Sequence, residues 1–150
     1  MFNLLLFFPI LYISTFSNIP YDSILLTSAA QKYNIVALQN SKFEAKLIPI
    51  CRSHVISMIN RNKVDHLFFE QRVEQIRKLT GQRGACVEVT AIVPASNDYQ
   101  KDAKILLETW KRSQPHWKVL NKKSKSFCFS MGYSKNRCWG IGVFIAEKGE

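Results

Sequence analysis

Three short stretches with β-strand character constrain this chain most. Residues 85–93 alternate, with Val87, Val89, Ala91 and Val93 on one face and Cys86, Glu88, Thr90 and Ile92 on the other. That is the period of a strand. Two apolar runs, 127–131 and 139–146, flank the turn-like Gly132-Tyr133-Ser134-Lys135-Asn136 and read as a hairpin. Helical patterns fill the rest. Leu25, Leu26, Ala29 and Ala30 follow Asp22, a candidate cap. Ile48, Cys51, Val55, Met58 and Ile59 share one helix face, with Pro49 suited to its first turn. Phe69, Val73 and Ile76 give a shorter helix that ends in the 80–84 stretch, with its Gly81 and Gly84. Ala103, Leu106, Leu107 and Trp110 follow i, i+3, i+4, i+7, an amphipathic helix. The order is three helices, a strand, a helix and a hairpin. The expected class is α+β, a small antiparallel sheet covered by helices.

The chain has 150 residues, one domain's length, with 47% hydrophobic and 21% charged residues. These values suit a globular chain and exclude a largely disordered one. Lys and Arg outnumber acids 21 to 11, for a net charge of +10. This favours an anionic partner but says nothing about fold. From residue 109 to 146 there are eight basic residues and no acid: Lys111, Arg112, Lys118, Lys122, Lys123, Lys125, Lys135 and Arg137. Trp110, Trp117 and Trp139 interleave with them.

Residues 1–17, MFNLLLFFPILYISTFS, carry no charged side chain. Their apolar run has the length of a signal-peptide core and is short for a membrane-spanning helix of about 20 residues. Thr15 and Ser17 supply small residues for cleavage after Ser17. The expected organisation is a signal peptide over 1–17 and one domain over 18–150. The protein would then be secreted, periplasmic or held in the cell envelope, where nucleic acid is not an expected partner.

Export makes the four cysteines candidates for two disulfides. Cys128 and Cys138 flank the expected turn, so the hairpin would set them opposite each other. Subtraction leaves Cys51 with Cys86. The spacings match no zinc finger.

The sequence has no GxSxG, HExxH, P-loop or GxGxxG. It has three histidines, His54, His66 and His116, and a single acid, Glu88, in the mostly apolar strand over 85–93. Taken singly, each has an ordinary structural explanation.

Taken in order, these positions resemble a known family. Cys51-Arg52-Ser53-His54-Val55-Ile56-Ser57-Met58 is similar to a helix written A-x-x-H-[SA]-x-x-M. Residues 62–66 match the N-x-x-x-H that follows, and Arg72 the Arg after it. Cys86-Val87-Glu88-Val89 stands where the family has G-E-N. Leu106-Leu107-Glu108-Thr109-Trp110 matches a helix ending in Trp. Ser113-Gln114-Pro115-His116 resembles S-P-G-H, Val119-Leu120-Asn121 resembles I-L-N, and Trp139-Gly140-Ile141-Gly142-Val143 resembles a terminal G-x-G-V strand. The family is the CAP superfamily of cysteine-rich secretory, antigen 5 and pathogenesis-related-1 proteins, and the nearest likeness is to compact bacterial SCP-like members. The sequence departs from it in keeping only the Glu of G-E-N and in carrying Ser113 where many members have a second Glu.

The resemblance implies an α-β-α sandwich with a central cleft. It implies that His66, Glu88 and His116 line this cleft, supported by His54 and Ser113. Two imidazoles and a carboxylate would suit Zn²⁺. The expected function is an extracellular module that binds a small ligand, a lipid or a glycan, or an extracellular protein, with weak or no catalysis. Two alternatives are a metal-assisted hydrolase of peptide or cell-wall substrates and an envelope protein that binds polyanions through the basic segment.

Overall fold

A computed structural model describes residues 22–147. The expected signal segment lies outside the described residues.

Five helices and four strands form three layers. The helices are α1 (Asp22–Gln31), α2 (Ile48–Arg61), α3 (Phe69–Thr80), α4 (Tyr99–Arg112) and α5 (Gln114–Leu120). The strands are β1 (Lys42–Phe43), β2 (Cys86–Pro94), β3 (Ser126–Ser134) and β4 (Arg137–Ile145). They pair in the order β1-β3-β4-β2. The α+β class and small sheet follow the sequence pattern. The sheet is mixed, however: the two-residue β1 runs parallel to β3, while the three long strands are antiparallel.

The strand alternation separates two cores. Val89, Ala91 and Val93 of β2 join Phe127, Phe129 and Met131 of β3 beneath α1 and α4. Trp139, Ile141, Val143 and Ile145 of β4 face the other way, with Cys128, against Ile50, Cys51, Val55 and Met58 of α2 and Ile76 of α3. Trp110, Trp139, Phe129 and Phe144 are fully buried. Burying a side chain such as Phe129 contributes roughly 1.5–3 kcal/mol relative to exposure. Gly140 lets α4 sit close to the sheet, because a Cβ there would lie 2.7 Å from a methyl of Leu106.

Local chemistry fixes the helix ends. Asp98 caps α4 by accepting from the backbone N–H of Gln100 at 3.0 Å and Lys101 at 3.1 Å. Asn62 ends α2 with a left-handed φ of 50°, a conformation that asparagine tolerates better than most residues. The helix α5 has no counterpart among the helical patterns read from the sequence. Pro115 falls in its first turn, where a missing N–H costs nothing.

The hairpin corrects the cysteine pairing. Lys135 and Asn136 both have positive φ, 51° and 60°, and form a two-residue turn. The strands therefore pair to the end, Ser134 opposite Arg137. Cys128 stands opposite Val143 and Cys138 opposite Tyr133. The expected turn over 132–136 is centred too early in the sequence, which is why it set the two cysteines face to face. Moreover, Cys128 lies in the α2-side core and Cys138 in the α4-side core. All four cysteines are free thiols, so neither the Cys128–Cys138 nor the Cys51–Cys86 bridge is formed.

Candidate functional site

Glu88 lies on the β2 face turned toward α2 and α3, and its side chain is 2% exposed. A lone carboxylate there would be costly without a partner. Arg72 provides one with two parallel bonds: Nε donates to Oε2 at 2.9 Å and an Nη group to Oε1 at 2.8 Å. This is the strong bidentate geometry of guanidinium and carboxylate. Arg72 is on the apolar face of α3, flanked at helical spacing by Phe69, Val73 and Ile76, and is itself buried.

His66 completes the cluster. Its Nδ1 lies 2.8 Å from Oε1 of Glu88, and its side chain is half exposed. An ionised carboxylate only accepts, so His66 Nδ1 donates to Oε1. Burial pushes the Glu88 carboxyl up, but hydrogen bonds from His66 and Arg72 and the Arg72 charge outweigh this and hold it below its usual range.

The loop that carries His66 is pinned at several points. Arg61 binds the carboxylate of Asp65 with two bonds, and Asp65 accepts from the Leu67 N–H at 3.1 Å. His54 lies with Nε2 2.9 Å from the Asp65 carbonyl. Arg72 donates to the Leu67 carbonyl as well. Phe68 closes the loop with a φ of 59° and is 60% exposed. A bulky aromatic rarely adopts this left-handed conformation, and strain of this kind is found at functional sites.

His54 itself is buried, 3.9 Å from Oε1 of Glu88. Desolvation lowers its pKa, so it is neutral near pH 7 and serves as a strut between α2 and the loop. A hollow of about 180 Å³ is lined by His54, Phe68, Gln71, Arg72 and Gln75.

His116 comes from α5, which packs beside β2, and is half buried. Its Nδ1 lies 2.9 Å from Ser113 Oγ, a pair in which either atom can donate. Burial lowers the His116 pKa, and repulsion from His66 in its protonated form lowers it further, so the two imidazoles sense each other. The sequence gives Ser113 no base beside it, whereas the folded chain places it against His116. Among the described residues no third group is bonded to His116, as a nucleophilic triad requires.

The structure thus joins His66, Glu88 and His54 directly, with His116 electrostatically linked and Ser113 bonded to it. It changes the expected role of Glu88. Glu88 accepts three hydrogen bonds, two at Oε1 and one at Oε2, so only one of its four acceptor positions is open. Among the described residues no group of three or more His, Cys, Asp or Glu is arranged to hold an ion. A zinc centre takes at least three protein ligands. The residues therefore do not fit the expected Zn²⁺ site. From the sequence, Arg72 stands out only as a motif match. Its place on an apolar helix face, where an arginine needs a buried acid, was the available signal.

The eight basic residues near the C-terminus are exposed. Trp110 and Trp139 are buried in opposite cores, however, so these two aromatics do not interleave with them at the surface.

The arrangement defines a three-layer α+β domain with a polar Arg–Glu–His cluster at one edge strand. No family model matches the chain, and no curated protein matches it. Among solved structures it is similar to an outer surface protein from Borrelia burgdorferi, with a TM-score of 0.60 and 16% identity, over 83% of this chain and 91% of that one. At this identity the likeness is one of fold. No described helix is long and apolar enough to cross a membrane.

Proposed function

We propose that the protein is an extracellular or envelope-associated module with a CAP-like cleft, which binds a ligand through His66 and His116 and does not hydrolyse it. The carrying observation is the double occupation of Glu88 by Arg72 and His66. With Arg72 and His66 holding its pKa down, that carboxylate is a poor general base. It orients His66 through Nδ1 and leaves Nε2, which makes no hydrogen bond among the described residues, for a ligand hydroxyl or amide. The ordered motif series supports the CAP reading. The envelope location draws support from the uncharged leader and from a fold shared with a protein named as an outer surface protein. The hydrolase alternative lacks a third metal ligand among the described residues, while the polyanion alternative keeps its eight exposed basic residues without Trp110 and Trp139 beside them.

The test is imidazole ¹H–¹⁵N correlation spectroscopy, titrating lipid micelles or chitooligosaccharides into the protein. The expected result is that one probe shifts His66 and His116 but leaves the tautomer of His54 unchanged. Absence of any shift with either class would reject a lipid or glycan ligand.

A further inference from the structure

Cys51 and Cys128 meet where α2 lies on β3. Cys51 is one turn before His54 on α2 and Cys128 is the third residue of β3. Both are fully buried in the same core cluster, together with Ile50, Val55 and Val143. The two side chains are near enough that Cys128, more than burial, pushes the Cys51 thiol up, and the charges of Glu88 and Arg72 act on Cys51 as well. The other two cysteines are placed apart. Cys86 is half exposed and directs its thiol toward the Gly84 carbonyl, while Cys138 is on the opposite face of the sheet beside Tyr133.

We propose that Cys51 and Cys128 are a disulfide-forming pair, and that in an oxidising compartment this bridge staples α2 to β3 beneath the His54–Glu88 cluster. The proposal takes the compartment from the export reading, but the chemistry belongs to the folded chain. A thiolate sulfur of one cysteine attacks a small-molecule disulfide, forming a mixed disulfide and releasing one thiol. The sulfur of the other then attacks the mixed disulfide and releases the second. The protein thiols lose two protons and two electrons, and the oxidant is reduced to two thiols. Because both sulfurs are buried, the exchange takes place before α2 has docked. The bridge closes a loop of roughly 80 residues and constrains the unfolded chain strongly.

The protein is denatured, reduced and refolded in a glutathione–glutathione disulfide buffer, then digested without reduction for peptide mapping. The expected product is one Cys51–Cys128 bridge, with Cys86 and Cys138 open to alkylation after denaturation. The oxidised form should melt roughly 5–15 °C above the reduced form. The Cys86→Ala/Cys138→Ala variant should keep that gain, and Cys51→Ala should lose it. A Cys51–Cys86 or Cys128–Cys138 bridge in the wild type, or four thiols after refolding, overturns the proposal. Either outcome would leave the function of the histidine cleft untouched, since His66 and His116 titrations are read separately.

Discussion

Glu88 Oε1 lies between two donors, His66 Nδ1 and an Arg72 Nη group, each at 2.8 Å. One oxygen thus ties a half-exposed imidazole to a buried guanidinium. The carboxylate is the hub of the site, and three of its four acceptor positions are taken up in positioning.

Removing one side of this cluster should cost more than removing both. Glu88→Gln leaves the Arg72 charge buried and unpaired, an expected loss of about 3–5 kcal/mol. Replacing the pair by Glu88→Leu/Arg72→Met should be less damaging than Glu88→Gln alone. Urea unfolding of the wild type and both variants measures this. A double variant less stable than Glu88→Gln would contradict the account of the pair.

Acid should destabilise the fold in two steps. Desolvation holds His54 below its ordinary 6.5, and its partners hold Glu88 below its ordinary 4.5. Each binds fewer protons folded than unfolded, so stability rises with pH through each window. His54 contributes fully above 6.5 and loses its contribution as pH falls through its lowered folded value. Glu88 does the same below 4.5. Denaturant midpoints across pH 3–8 should show both falls. His54→Gln keeps a donor for the Asp65 carbonyl and should shrink the upper fall to the part that His116, also lowered by burial, contributes, without touching the lower one.

Gly140→Ala should cost about 1–3 kcal/mol by overpacking. The added methyl would meet Leu106 at 2.7 Å on a helix-covered strand. Pairing it with Leu106→Val should restore part of the loss, as read from thermal melts. No recovery would mean that the backbone, not the leucine, resists the methyl.

Phe68→Gly should relieve the left-handed strain at little packing cost, because the residue is 60% exposed. Stability should rise by about 0.5–1 kcal/mol in chemical unfolding. Ligand shifts at His66 should weaken if the strained loop shapes the cleft, the pattern of a stability–function trade.

Much of the architecture could be read from residue spacing. Helical and strand periodicity located α1 to α4 and all three long strands. Periodicity says nothing about a seven-residue helix such as α5, nor about β1, whose two residues pair only because β3 lies beside them. The turn failed for a local reason. Lys135-Asn136 needs two left-handed residues without glycine, so the apolar strands ran further than the Gly132 signal suggested. In the site, His66, Glu88 and His54 were legible as positions, but their roles were not. Roles depended on Arg72, which sits sixteen residues from Glu88 and reaches it only through the packing of α3 on the sheet. The cysteine pairing failed with the turn, since a pairing inferred by subtraction inherits the error of the first pair.

The central claim is that Glu88 serves to orient its neighbours, leaving a cleft that binds without hydrolysing. The most direct measurement is turnover of peptide and peptidoglycan substrates with and without added Zn²⁺, for wild type and His116→Ala. The account predicts no turnover above background under either condition. Metal-dependent turnover in the wild type that disappears in His116→Ala would contradict it.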